Sequence, residues 1–177
     1  MQPLTCPIPS NINPLQSSGF MFDILKLPEV KFFCQEIALP SLNAPPADFS
    51  TPLSTVYVPG DKLQFGDLSI VFLIDENMAN YIALHNWMVG LGFPVSHQQY
   101  ANFLSSRTNS LNKNPAIAGY SDGVLSILNS TNSPSKTIRF IDVFPTSIQQ
   151  VNFRSDLSTT EFLTATASFR YTYYVFE

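Results

Sequence analysis

The sequence predicts a mainly β fold, an antiparallel β-barrel or sandwich with one flanking α-helix. Three observations carry that prediction. The last sixteen residues, Phe162 to Glu177, keep a two-residue beat. Leu163, Ala165, Ala167, Phe169, Tyr171, Tyr173 and Val175 share one face, and Thr164, Thr166, Ser168, Arg170 and Thr172 share the other. Strand side chains alternate between faces, so this is the pattern of a long strand packed on one side and wet on the other. Shorter runs of the same kind recur between turn signals and bring the expected total to seven or eight strands. Only one segment shows a clear helical period. Strands that do not alternate with helices build antiparallel barrels or sandwiches.

The elements are justified in order as follows. Residues 1–18 are rich in Pro, Ser and Asn and read as an extended N-terminal arm, and residues 19–177 read as a single β domain. A first strand is expected from Gly19 to Leu27, with Phe20, Phe22 and Ile24 on one face. Leu27-Pro28-Glu29 is read as a turn, and Val30 to Leu39 as the second strand of an antiparallel hairpin. Residues 40–52, PSLNAPPADFSTP, are expected to form a loop, because Pro removes backbone donors that a central strand needs. A short strand, Leu53 to Val58, precedes the Pro59-Gly60-Asp61 turn. Asp67 to Ile74 is expected to be the most buried strand, with Leu68, Ile70, Phe72 and Ile74 on one side and Val71 and Leu73 also covered.

Asp75-Glu76-Asn77 supplies acidic and capping residues for a helix running to about Val89. Its stripe is Met78, Tyr81, Ile82, His85, Met88 and Val89, widened by Leu84, Trp87 and Leu91, and Gly90, Gly92 and Pro94 end it. His97 to Ser106 is read as a short helix followed by an Asn/Ser-rich loop. Gly123 to Leu128 and Lys136 to Phe144 form a second hairpin, ended by Pro145. Ile148 to Phe153 is read as a short strand or extended piece before the terminal strand.

Composition narrows the function classes. Charged residues are only 12% of the 177, about half the usual share. A surface so poor in charge suits a protein covered by copies of itself or by partners. The nine basic residues are scattered singly against thirteen acidic ones, which argues against tight nucleic-acid binding. Cys6 and Cys34 are too few for a disulfide framework and lack metal-ligand spacing, and Cys34 reads as a small buried hydrophobe. No signal peptide is read at the start, and the longest apolar runs fall short of a membrane span.

Catalytic chemistry is weakly supported. His85 and His97 are the only histidines; His85 is read as a partly buried packing residue beside Trp87, and His97 as exposed. Asp75-Glu76 is read as a cap and not as an acid/base pair. Gly90 and Gly92 end a helix, whereas a phosphate-binding loop starts one. Tyr171, Tyr173 and Tyr174 are read as core and not as a base-stacking platform. The expectation is no enzyme, no cofactor and no metal site.

One resemblance spans much of the chain. FFCQEIALP after a first hairpin, a Pro-rich loop, VPGDKLQFGDLSIVFLIDEN leading into a helix with a central Trp, then VFPTSIQQVNF and a long terminal strand resemble the tail tube proteins of contractile-tailed bacteriophages. The matching positions are Phe32 to Pro40, Gly60-Asp61, Leu68 to Ile74, Asp75-Glu76, Trp87 and Phe144-Pro145-Thr146. The resemblance covers roughly residues 19–91 and 136–177, and the intervening segment, about 92–135, departs from it and reads as enlarged.

The resemblance implies a structural virion component. Six copies would close into a ring with a continuous β-barrel as inner wall, and rings would stack into a tube inside a contractile sheath that conducts DNA. The implied partners are further copies of the chain, sheath and baseplate proteins, and DNA in transient passage. The implied location is the virion tail, after synthesis and assembly in the host cytoplasm. Leu42, Pro45, Pro46, Phe49, Val56 and Tyr57 are candidate ring-stacking residues, together with the arm. Thr164, Thr166, Ser168, Arg170 and Thr172 are the candidate lumen or inter-subunit face. Six copies at −4 each would carry −24 per ring, which would repel DNA phosphates if enough of it lined the lumen. Alternatives within the class are a baseplate tube initiator and a secretion-system tube subunit. From another class, a monomeric ligand-binding β-barrel would need an apolar interior cavity.

Overall fold

The computed structural model describes residues 14–31, 33–92, 94, 96–99, 101, 119–155 and 162–177. Residues 1–13 of the expected arm, and most of the expected helix at 97–106, lie outside them; residues 97–99 and 101 are helical. The elements run β1 (Phe20–Ile24), a 3-10 turn (Pro28–Val30), β2 (Cys34–Ala38), β3 (Leu42–Asn43), β4 (Ala47–Ser50), β5 (Thr55–Val58), β6 (Gln64–Phe65), β7 (Leu68–Leu73) and α1 (Ala79–Gly92). They continue with β8 (Ser121–Leu128), β9 (Pro134–Ile148), β10 (Thr164–Arg170) and β11 (Tyr173–Phe176).

Seven strands form one antiparallel sheet in the order β1-β8-β9-β10-β7-β2, with β11 added to β9. This sheet folds into two leaves that share β9. In leaf one, β9 up to Val143 pairs with β8, and its Ile138–Ile141 stretch pairs with β11. In leaf two, Phe144 to Ile148 pair with β10, which pairs with β7 and then β2. The change of partner follows Asp142, whose φ of 58° lies in the left-handed region and bends the strand.

The core fills the space between the leaves. Phe22, Ile24, Leu125, Ile138 and Phe140 from leaf one meet Leu68, Ile70, Phe72 and Phe169 from leaf two, all under 5% exposed. Burying each large apolar side chain stabilises the fold by about 1.5–3 kcal/mol. Helix α1 adds Leu84 and Trp87 to this core. Trp87 lies 6.3 Å from Phe169 between ring centroids, and its Nε1–H donates to the Gly119 carbonyl at 3.0 Å. Lys26 lies 4.7 Å above the Trp87 ring, a cation–π contact.

Several local expectations are corrected. β1 and β2 are not a hairpin: β1 pairs with β8 and β2 with β7, because a 3-10 turn at Pro28 separates the two leaves. Gln149 to Phe153 form no strand. Pro145 does not end β9, which runs on to Ile148; here β9 is the outer strand of leaf two, and Pro145 sits where the register with β10 shifts. The terminal strand is not continuous. It breaks at Tyr171-Thr172, and β10 lies in leaf two while β11 lies in leaf one. Val71 and Leu73 are only half-buried, so β7 has one covered face.

The helix faces the core with Asn80, Leu84, Trp87 and Gly90. Ile82 and His85, placed on the expected stripe, are exposed, so His85 is not a packing residue. Asp75 and Met78 close a turn in which Met78 adopts φ 55°, and the helix start is tied down by Asn80 instead of the expected caps. Asn80 donates its Nδ2 to the Leu73 carbonyl at 2.7 Å and accepts the Tyr81 N–H on Oδ1 at 2.8 Å.

Candidate functional site

Two surfaces stand out. The first is a projecting ribbon from Ser41 to Gly66. The region read as a Pro-rich loop is a long two-stranded hairpin, with Leu42 opposite Phe65 and Asn43 opposite Gln64 near the body. Further out, Ala47 to Ser50 pair with Thr55 to Val58. The tip is closed by the Thr51 N–H donating to the Ser54 carbonyl at 2.9 Å. Pro45 and Pro46 lie between the two paired stretches, where no ladder bond requires their missing N–H. Across from them, a Cβ at Gly60 would overlap the Pro45 carbonyl oxygen, so only glycine lets the two chains approach so closely.

Among the described residues, nothing on the body covers this ribbon. Its strands pair only with each other, and every residue of β4 and β5 is exposed. Phe49 is 59% exposed, Tyr57 68% and Leu53 97%. Leu42, Val56, Val58 and Leu63 are exposed as well. The six candidate stacking residues, Leu42, Pro45, Pro46, Phe49, Val56 and Tyr57, therefore lie on one projection and all face solvent. Isolated two-stranded ribbons are marginal in water, and contiguous apolar exposure on this scale marks an interaction surface.

An aromatic cluster anchors the ribbon to the body. Phe65, at the ribbon's base, meets Tyr174 edge to face at 5.5 Å and Tyr171 at 6.0 Å between centroids. Both tyrosines also pack on Phe140, at 5.7 and 5.2 Å. Tyr171 is buried and Tyr174 half-buried, as core readings require, while Tyr173 is exposed. Burial pushes the Tyr171 hydroxyl up to about 12, and among the described residues no group bonds it.

The second surface is the outer face of leaf two. On β10, Ala165, Ala167 and Phe169 are buried, and Thr164, Thr166, Ser168 and Arg170 point away from the core. Their cross-strand partners on β7 are Leu73, Val71 and Ser69. Glu36 and Ala38 of β2 continue two of these rows, and Ser147 of β9 faces Ser168. Thr146 donates its hydroxyl to the Ser168 carbonyl at 3.0 Å. Hydroxyls and small side chains dominate. Arg170 is neutralised by Asp67, with Nε–Oδ1 at 2.6 Å, which leaves Glu36 as the uncompensated charge in these rows. Thr172 lies beyond β10, at the corner between the leaves, with its hydroxyl donated to Asp142.

The sequence profile described as phage tail tube protein matches residues 5–177. The chain belongs to that family. No curated protein matches it. Among solved structures, this tail tube protein is similar to the cap that terminates the tube of the anti-feeding prophage, at 12% identity and a TM-score of 0.64, over 100% of this chain and 99% of that one. A chain in the six-fold symmetrised baseplate of the same particle gives 14% identity and 0.60, over 93% and 96%. One in the extended sheath–tube complex of an extracellular contractile injection system, PVC, gives 11% and 0.57, over 93% and 91%. At these identities the likeness is one of fold. The segment 92–135 that departs from the resemblance lies within the matched span.

Other candidate chemistry in the tail tube protein stays dispersed. Among the described residues no group of three or more His, Cys, Asp or Glu could hold a metal ion, and no helix is long and apolar enough to cross a membrane. Cys34 is half-buried against the core, and burial pushes its thiol up to about 11. The sequence reading placed a strand at Leu53 to Val58, where β5 lies, but missed β3, β4 and β6 and the aromatic anchor. The alternation of Phe49 with Ala47, and of Val56 with Val58, was the available signal.

Proposed function

We propose that this tail tube protein closes into hexameric rings that stack into the inner tube of a contractile tail and let DNA pass. The observation that carries the reading is the ribbon: a long projection with Phe49, Leu53, Val56 and Tyr57 exposed and no surface among the described residues to cover them. A second copy in an adjacent ring is the cover such a surface needs, and head-to-tail contact of this kind generates rings and filaments. Edge strands β2 and β9 of leaf two offer unpaired backbone for sideways closure, which removes exposed edges.

Leaf two then forms the inner wall. Its outer face carries Thr164, Thr166, Ser168 and the neutralised Arg170, so phosphates meet hydroxyls and no cationic cluster. Low stickiness there arises from the absence of free Lys and Arg on these rows more than from a high negative charge, since little of the net −4 lies on this face. Leaf one and α1 would face the sheath, with baseplate proteins at one end, in a virion tail assembled in the host cytoplasm. The monomeric ligand-binding barrel fits less well, because Phe22, Phe72, Phe140 and Phe169 fill the space a ligand would need.

The test is negative-stain electron microscopy with solution mass on the same sample. Tubes with a central channel are expected for a main tube subunit. Single rings that do not stack would favour an initiator or a terminal ring. A strict monomer at high concentration, even with preformed tubes as template, would overturn the reading. Deleting 41–50 would remove β3 and β4 but leave β5 and β6, so the cleaner excision is Ala47 to Val58. That deletion is expected to leave a folded subunit that no longer stacks.

A further inference from the structure

The ribbon has two chemically different faces. Ala47 stands opposite Val58, and Phe49 opposite Val56. Residues opposite each other in a ladder share a face, and so do residues two apart along a strand. One face is therefore Ala47, Phe49, Val56 and Val58, all apolar, and the other is Asp48, Ser50, Thr55 and Tyr57. Asp48 is the one charged residue from Ala47 to Val58. All eight residues are exposed, so the apolar face lacks a cover among the described residues.

A cleft of about 750 Å3 lies at one end of leaf two. Val151, Phe153, Arg154, Phe162 and Leu163 line it, beside Thr164 of β10. Phe153 is 69% exposed and Phe162 82%. Arg154 is the one charge among the described lining residues, and it has no ion-pair partner among the described residues.

Strand direction sets the ribbon and the cleft at opposite ends of the leaf. The ribbon leaves the sheet after Ala38 of β2 and returns before Leu68 of β7, and Ala38 pairs with Ser69 at that end. The cleft adjoins the other end of β7, where Thr164 stands opposite Leu73 and Ile74 donates its N–H to the Leu163 carbonyl at 2.8 Å. Val151 and Phe153 follow β9 at this same end, where the Gln149 N–H donates to the Thr166 carbonyl at 2.9 Å. Leu68 to Leu73 spans about 17 Å of sheet. β4 and β5 pair only with each other beyond the far end, so a second copy placed end to end brings a ribbon to the cleft.

We infer that the apolar face of one copy's ribbon seats between Phe153 and Phe162 of the next copy, with Asp48 paired to Arg154. Apolar surface then meets apolar surface, and the one anion of β4 and β5 meets the one cation of the cleft. The contact joins different surfaces of two copies, so it is head-to-tail and repeats along an axis. The inference rests on the self-assembly proposed above and names the surface that receives the ribbon.

The experiment exchanges the charges in the full chain: Asp48→Arg, Arg154→Asp and both together, followed by sedimentation, electron microscopy and thermal melts. Each single exchange sets like charges against each other. It is expected to raise the concentration needed for assembly about fivefold, with an unchanged melting temperature of the subunit. The double exchange is expected to return that concentration to the parent's. An equal mixture of the two single variants is expected to do the same, because each variant's ribbon complements the other's cleft. Single exchanges that assemble like the parent, or a double exchange no better than either, would overturn this inference alone. A double exchange that recovers while the mixture does not would place the contact within one chain and overturn the assignment to a second copy. A parent chain that never associates would overturn the assembly reading and this inference with it. Phe153→Asp and Phe162→Asp change exposed side chains, so both are expected to stop stacking and keep the fold. Stacking that survives both would overturn the seat.

Discussion

Thr172 donates its hydroxyl to the Asp142 carboxylate at 3.2 Å, and its backbone N–H donates to the Ile141 carbonyl at 2.9 Å. Two separate crossings between the leaves, β9 at Asp142 and the β10–β11 junction at Thr172, are thereby fastened to each other. Asp142 holds φ 58°, which costs most side chains about 1–2 kcal/mol and glycine none. Asp142→Gly should therefore lose only the side-chain hydrogen bond. Asp142→Val should be less stable than Asp142→Gly by about 1–2 kcal/mol, measured by urea unfolding. Equal losses would show that the bend is not strained.

Trp87 links α1 to the core through Phe169 and to the chain after the 102–118 segment through Gly119. Trp87→Ala should destabilise the subunit by about 3–5 kcal/mol. Trp87→Phe should lose less, because it keeps apolar volume but leaves the Gly119 carbonyl without its indole donor. Tryptophan fluorescence cannot follow these variants, since Trp87 is the one tryptophan, so far-UV circular dichroism in denaturant is the measurement.

The ribbon separates folding from association. Leu53→Asp and Tyr57→Asp change side chains that touch solvent, so each should alter subunit stability by no more than about 0.5 kcal/mol. Both should abolish stacking into tubes. Gly60→Ala should have a similar effect on assembly, because the added Cβ forces the two chains of the ribbon apart at Pro45. Thermal melts and electron microscopy on the same preparations would distinguish this from general unfolding.

Tyr171 sets an alkaline limit. Its folded hydroxyl titrates near 12, above the unfolded value near 10, so the unfolded chain loses this proton first as pH rises. Its contribution is fully present below pH 10 and is lost as pH climbs through about 12. Tyr171→Phe should flatten the fall in stability over that window. At pH 7 it should be neutral or stabilising, because it removes a buried hydroxyl that no group among the described residues bonds. A clear loss of stability at pH 7 would contradict this account.

The sequence was most legible where burial imposes a period. Ala165, Ala167, Phe169 and Tyr171 alternate as read, and Leu68, Ile70 and Phe72 do the same on the neighbouring strand. The alternation of the terminal segment changes phase after Thr172, where a one-step slip turns Tyr174 inward and Tyr173 outward. No local signal marks that slip, because Tyr173 and Tyr174 are equally apolar. The β1–β8 pairing was hidden for another reason: its partners lie about a hundred residues apart, and local turn chemistry at Pro28 imitated a hairpin. On the ribbon both faces are wet, so burial imposes no pattern there; its second strand was read at Leu53 to Val58, but the prolines of 40–52 suggested a loop where β3 and β4 lie. The stacking candidates were nevertheless placed on it, and the hydroxyl row of β10 lies where the alternation put it, with Thr172 displaced to the corner.

Because β9 belongs to both leaves, the wall that would line a channel in the proposed ring and the wall that would face outward are one covalent backbone. Pulling on the outer surface loads peptide bonds in the inner one, with no interface between them to slide. A conduit made of such subunits would behave under axial force as a stiff shaft and not as two nested sleeves.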